Sequence, residues 1–146
     1  MDRGTTMRAM LKVLVLVGLM TAGLSSDAQS FRQRGKLTEV QDAFAAAIRW
    51  GDFENAWQAV DPAYREEHPM TDLEFERYQQ VQISGYRDIS RRSGPEGTIE
   101  RQIELRVINK HTMAERTLRY LERWRWDPEA KRWWLVVGLP DLWNGE

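Results

Sequence analysis

Between Ile99 and Val107 the chain alternates. Ile99, Ile103, Leu105 and Val107 share one parity; Glu100, Gln102, Glu104 and Arg106 hold the other. A period of two marks a β-strand with one packed face and one face in water. The pattern returns from Met113 to Trp126, where Leu118, Tyr120, Trp124 and Trp126 stand against Glu115, Thr117, Arg119, Arg123 and Arg125. A third run, Lys131 to Gly138, contains Trp133, Trp134, Leu135, Val136 and Val137. Asn109 to Thr112 and Asp127 to Ala130 have the composition of hairpin turns between these runs. Val81 to Arg91 reads as a weaker strand with Gly85 at a bulge, and Ser93 to Gly97 (SGPEG) makes the first reversal. The C-terminal half is therefore expected to be an antiparallel meander with a single apolar face.

Register follows from the turns. With Lys110 and His111 at the centre of the second turn, Ile103 faces Leu118, Arg101 faces Tyr120 and Ile99 faces Glu122. With Asp127 to Ala130 as the next loop, Trp124 pairs with Trp133 and Tyr120 with Val137. Both registers keep the apolar rows on one side of the sheet. On the other side Arg123 falls opposite Trp134, an arrangement suited to a cation–π contact.

The N-terminal half carries helical signals. Phe31 to Lys36 is a polar lead-in, and Thr38-Glu39-Val40-Gln41 has the form of a capping box. Val40, Phe44, Ala47 and Ile48 follow at helical spacing, and Gly51 supplies a left-handed stop. Asp52 can cap a second helix, with Phe53, Ala56, Trp57 and Val60 on its inner face and Pro62 as its end. Ala63 to His68 reads as one helical turn anchored by Tyr64. Thr71-Asp72-Leu73-Glu74 is another capping box, with Leu73 and Tyr78 facing inward. Helices followed by an antiparallel meander make an α+β order.

Residues 1–28 have the marks of an export signal. Arg3, Arg8 and Lys12 precede the apolar run Val13 to Leu24, and Ser26-Asp27-Ala28 places small residues at a cleavage site after Ala28. A spanning helix needs roughly 20 apolar residues, more than this run offers, so no transmembrane segment is expected in the mature chain. Removal of residues 1–28 leaves 18 basic and 20 acidic residues. Such a balance lacks the basic excess of a nucleic-acid binder, and no nucleic-acid partner is expected. The sequence has no cysteine, which excludes disulfides, thiol catalysis and thiolate metal sites. His68 and His111 are its only histidines, and neither has a partner at metal-ligand spacing. No metal and no cofactor is expected.

The helix-pair segment FAAAIRWGDFENAWQAV, the terminal strand pair LRYLERWRWDPEAKRWWLVVGLP and the order of elements resemble the nuclear transport factor 2-like superfamily. The resemblance covers residues 37–140, between a polar lead-in at 29–36 and a C-terminal tail at 141–146. It implies N-terminal helices packed on a curved antiparallel sheet, a cystatin-like cone, and it extends to small exported bacterial proteins without an assigned activity. The same fold hosts enzymes, carriers and interaction modules, so the resemblance does not select a function.

Polar residues inside the apolar rows are the candidates for function. Arg101 stands among Ile99, Ile103 and Leu105, and Glu122 stands between Tyr120 and Trp124. A charge on an inward row must be paired or must face a wet cavity. One reading is a structural ion pair between Arg101 and Glu122, which the register brings within diagonal reach. The other is a pocket in which Arg101 binds an anionic group and Glu122 acts as acid or base, with Tyr120, Tyr86, Asp88 and Tyr64 as further members. Enzymes of the superfamily set an acidic base and a Tyr donor in the cone, but no family motif assigns these roles here.

Seven tryptophans occur, five of them from Trp124 onward. Trp124 and Trp133 are expected in the core. Leu121, Trp134 and Val136 lie on the opposite face and form a candidate interface for a homodimer or an envelope protein. The sequence favours an exported, non-enzymatic domain that binds a small apolar ligand or an envelope partner. A cofactor-independent isomerase, dehydratase or cyclase working by acid–base chemistry is the alternative.

Overall fold

The computed structural model describes residues 29–143. The expected signal segment and its cleavage site fall outside the described residues. The chain divides into a unit of residues 1–35 and a unit of residues 36–146. Residues 29–35 of the first unit are helical, and the core and sheet belong to the second.

Helix α1 covers residues 29–50, so Thr38 and Gln41 lie inside a helix rather than at its start. The capping-box reading therefore fails at this point. Leu37, Gln41, Phe44, Ala45 and Ile48 form its buried stripe. Gly51, with φ 73°, ends the helix in the left-handed region. Asp52 then caps α2 (Phe53–Trp57), accepting from the Asn55 N–H at 3.1 Å. Pro62 does not end this helix. It opens the next one, α3 (Pro62–Glu67), capped by Asp61, whose Oδ1 accepts from the Ala63 N–H at 2.9 Å. At a first helical position proline's missing N–H deprives the helix of nothing.

Thr71 and Glu74 form the expected reciprocal box at the start of α4 (Asp72–Tyr78). Tyr78 is buried as expected, but Leu73 is 74 % exposed. The inward line of so short a helix runs through Phe75 and Tyr78, three residues apart, and Leu73 points away from it.

Four strands complete the domain: β1 (Val81–Ser93), β2 (Ile99–Asn109), β3 (Glu115–Asp127) and β4 (Arg132–Leu135). They form one antiparallel sheet in sequence order. Phe44, Ile48, Phe53 and Trp57 from the helices meet Ile103, Leu105, Val107, Trp124 and Leu135 from the sheet in one core. The architecture is α+β.

Both hairpins differ from the expected registers by two residues. Arg101 faces Glu122, Ile103 faces Tyr120 and Ile99 faces Trp124. Trp124 faces Leu135, and Trp126 faces Trp133. The cause is the same in each loop. Asn109 stays in β2 while its Oδ1 accepts from the His111 and Thr112 N–H groups at 2.9 and 3.2 Å. Asp127 stays in β3 while its Oδ1 accepts from Glu129 and Ala130, both at 3.0 Å. Each loop thus begins one residue later than composition suggests, and closes on a left-handed residue, Met113 at φ 58° and Lys131 at φ 53°. A shift of two keeps every side chain on its face, so the inner and outer rows are as expected. The Arg123–Trp134 contact does not form in this register: Trp134 faces Arg125, and its ring is covered by Arg132 instead, 3.7 Å from the centroid.

Strand β1 carries two bulges, between Ile83 and Gly85 and between Asp88 and Ser90. Each inserts one residue and reverses the side-chain parity. Tyr86 and Asp88 consequently sit opposite the inward residues Leu105 and Ile103. The free edge of β4 is partly covered by a parallel bridge from Val60, in which Asp61 N–H donates to Leu135 O at 2.8 Å. The described part of the C-terminal tail packs on its own domain. Leu142 is fully buried, Trp143 stands edge-on to Tyr78 at 4.8 Å, and Pro140 O accepts from the Tyr78 hydroxyl at 3.0 Å.

Met113 is 72 % exposed, so replacing it removes no packing. Met113→Gly is expected to raise the unfolding free energy in urea by about 0.5–1 kcal/mol, the left-handed penalty less the entropy glycine adds to the unfolded chain. A loss of stability would show that residue 113 is not held left-handed.

Candidate functional site

Glu122 has no exposed surface, and Arg101 only 5 %. Both project from the centre of the sheet, where the register places them directly opposite each other. Arg101 Nε donates to Glu122 Oε2 at 3.0 Å and Nη2 to Oε1 at 3.2 Å. Trp124 sits two residues on along the same face, and its Nε1 donates to Oε2 at 2.9 Å. The Tyr86 hydroxyl, turned inward by the first bulge, donates to Oε1. A carboxylate offers about four lone-pair positions, and here four donors meet it. The Tyr86 oxygen also accepts from Arg101 Nη2 at 3.2 Å, which closes the triangle.

Burial pushes the Glu122 carboxyl above its ordinary value, while Arg101, Tyr86 and Trp124 pull it back only in part. Burial alone would lower Arg101, but Glu122 and Tyr86 more than offset it and hold the guanidinium charged. Burial, reinforced by the neighbouring carboxylate, pushes Tyr86 far up, so its hydroxyl keeps the proton it donates. The network continues outward. Asp88 Oδ2 lies 3.7 Å from both Arg101 Nη1 and Arg91 Nη2, and Arg91 donates to the buried Gln41 Oε1 at 3.1 Å.

Of the six residues expected in the pocket, four are thus brought together: Arg101, Glu122, Tyr86 and Asp88. Tyr120 and Tyr64 go elsewhere. The Tyr120 hydroxyl donates to Gly138 O at 2.9 Å, and burial raises it well above its ordinary value. Tyr64 stacks on His68 at 4.3 Å, with its hydroxyl so close to Gly138 that a Cβ there would lie 2.7 Å away. Both tyrosines anchor the segment after β4. Trp124 joins Glu122 as a donor that the sequence reading did not include, although two residues on one strand share a face by parity. The Gln41–Arg91 bond joins a helix to a bulged strand 50 residues away and leaves no local signal.

The outer face is organised by charge. Glu100 accepts from Arg92 Nε at 2.6 Å and from Arg123 Nη2 at 2.7 Å. Glu104 lies 2.6 Å from Arg87 and 3.9 Å from Arg119. The result is two Arg–Glu–Arg rows running across β1, β2 and β3. The second bulge makes them possible. Arg87 and Arg92 are five apart, Glu100 and Glu104 four apart, and the inserted residue brings both arginines into line. Leu121, Trp134 and Val136 are half-buried on this face. Trp134 is further tied down by its Nε1, which donates to Asp127 Oδ2 at 3.2 Å. Among the described residues no group of three or more His, Cys, Asp or Glu could hold a metal ion, and no helix is long and apolar enough to cross a membrane.

These charges set two measurable expectations. Arg101→Met or Glu122→Gln alone is expected to cost about 3–5 kcal/mol, because each strands a buried partner. The double variant should recover much of that loss in a urea double-mutant cycle, and additive losses would refute the pairing. Glu100 is held below its ordinary 4.5, chiefly by hydrogen bonds from Arg123 and then Arg92. A carboxyl lowered by folding adds stability above its unfolded value, and that stability is lost as pH falls through the folded one. Stability should therefore drop below pH 4.5 more steeply in the wild type than in Glu100→Gln, and parallel curves would contradict the assignment.

Comparison with protein-family models, with curated proteins and with solved structures found no match for this chain.

Proposed function

We propose that the chain is an exported, non-enzymatic binding domain of the nuclear transport factor 2-like kind, cleaved after Ala28. It holds a small apolar ligand or docks on an envelope protein. One observation carries the choice against acid–base catalysis: every oxygen of Glu122 is engaged by Arg101, Tyr86 and Trp124. A general base needs a lone pair within reach of the substrate, and this carboxylate has none to offer. Its neighbour Tyr86 is equally engaged, donating to one partner and accepting from the other. The interior polar groups therefore serve to hold the sheet, which leaves binding as the role for the remaining surface. The order of helices and meander agrees with a cystatin-like cone, and Arg101, Glu122, Tyr86 and Asp88 line up on the inward face of the sheet.

The sheet's outer face suits a homodimer less well, because an approaching copy would have to desolvate both Arg–Glu–Arg rows. The test is a native mass spectrum of the mature protein purified from its export compartment. The expected species begins at Gln29 and carries a reproducible small added mass or a protein partner. A chain that keeps residues 1–28 and travels bare overturns the reading.

A further inference from the structure

A groove of 320 Å³ lies between α1, α2 and β4, away from the Glu122 network. Its floor is apolar, made by Val40, Ala43, Ala47 and Ala59, with Trp134 as one wall. The small side chains are what leave the space open, since alanine recurs along α1 at positions 43 and 47. Within this lining stand two guanidinium groups, Arg65 from α3 and Arg132 from the start of β4, and no acidic residue.

Neither cation makes an ion pair among the described residues; Asp127, across the strand pair from Arg132, accepts instead from Trp134 Nε1 and from the N–H groups of its own loop. Arg65 Nη1 donates to the Gln58 amide oxygen at 3.0 Å, and its Nε is buried with no hydrogen-bond partner. A buried guanidinium N–H without an acceptor is costly and rare. Arg132 lies over the Trp134 ring, its guanidinium carbon 3.7 Å from the centroid, which leaves its N–H groups for another acceptor. Asp61, the acidic residue beside α3, is already taken by Arg125.

We infer that this groove is a binding site for a small amphiphile carrying one carboxylate. The apolar body lies on the alanine floor against Trp134, and the carboxylate oxygens accept from Arg65 and Arg132. The volume is that of a small-ligand site, and charge complementarity selects an anion over a neutral or cationic molecule. A carboxylate matches the planar donor fork of arginine. The inference rests on the reading of this domain as a binder and names the chemistry of its ligand.

The test is calorimetric titration of the mature chain with decanoate and with decanol, which share the tail and differ in charge. Decanoate is expected to bind one to one, and decanol about tenfold more weakly or worse, the equivalent of losing one charged hydrogen bond. Arg65→Gln and Arg132→Gln should each bring decanoate down to the level of decanol. Ala43→Phe, at an exposed position that disturbs no core packing, should abolish binding of both. Circular dichroism checks that each variant is folded. Equal affinity for the two probes, undiminished binding in Ala43→Phe, or no decanoate binding at all would overturn the site. A bare groove in this titration together with a ligand or partner in the native spectrum would reject this site and leave the binding reading standing.

Discussion

A single carboxylate without solvent contact organises this domain. Moving an ion of this size into a protein interior costs several kcal/mol, about what a good geometry can return. Glu122 reaches that geometry only when Arg101 is directly across the strand pair, Tyr86 faces inward and Trp124 follows on the same row. Each condition is a statement about the whole sheet. The pair adds little net stability over an apolar substitute, but it discriminates sharply between registers. In the alternative register with Arg101 against Tyr120, Glu122 would face Ile99. The ion pair and the two Asx-closed loops select the same pairing, and agreement between local and long-range preferences is what makes a register unique.

The bulges of β1 are the second determinant, because they settle which face each residue of an irregular strand occupies. Without them the parity that places Val81 and Ile83 inward would carry Gly85 and Arg87 inward and leave Tyr86 in water. With them, Tyr86 completes the buried network, and Arg87 and Arg92 reach the outer rows. The two irregularities thus serve both sides of the sheet. They also place charges and kinks along an edge strand, features that discourage edge-to-edge pairing between molecules.

These two features divide the polar residues of the domain into groups with different work. The Glu122 carboxylate is saturated by its neighbours, and Glu100 and Glu104 are each bracketed by two arginines. Arg65 and Arg132, which make no ion pair among the described residues, meet at the groove beside α1, where apolar floor and positive charge coincide.

The alternation of β2 and β3, the glycine stop at Gly51, the caps Asp52 and Thr71 and the inward placement of Arg101 and Glu122 were all legible in the sequence. These are local patterns, in which propensity, capping and parity act over a few residues. Leu73, Pro62 and the Thr38 box mislead because each carries a valid local signal that the surrounding helices override. Register differs by two residues because an Asn or Asp that closes a loop with its side chain can itself stay in the strand. Tyr86 and Arg91 take their places in the network only through tertiary structure. Their places depend on bulges and on the packing of α1 against the sheet, which no local pattern encodes. The sequence by itself determined which residues alternate, where helices stop and that two charges face the core. The fold decided what those charges meet, because a buried ion pair is satisfied only by the few groups that the final geometry brings within hydrogen-bond distance.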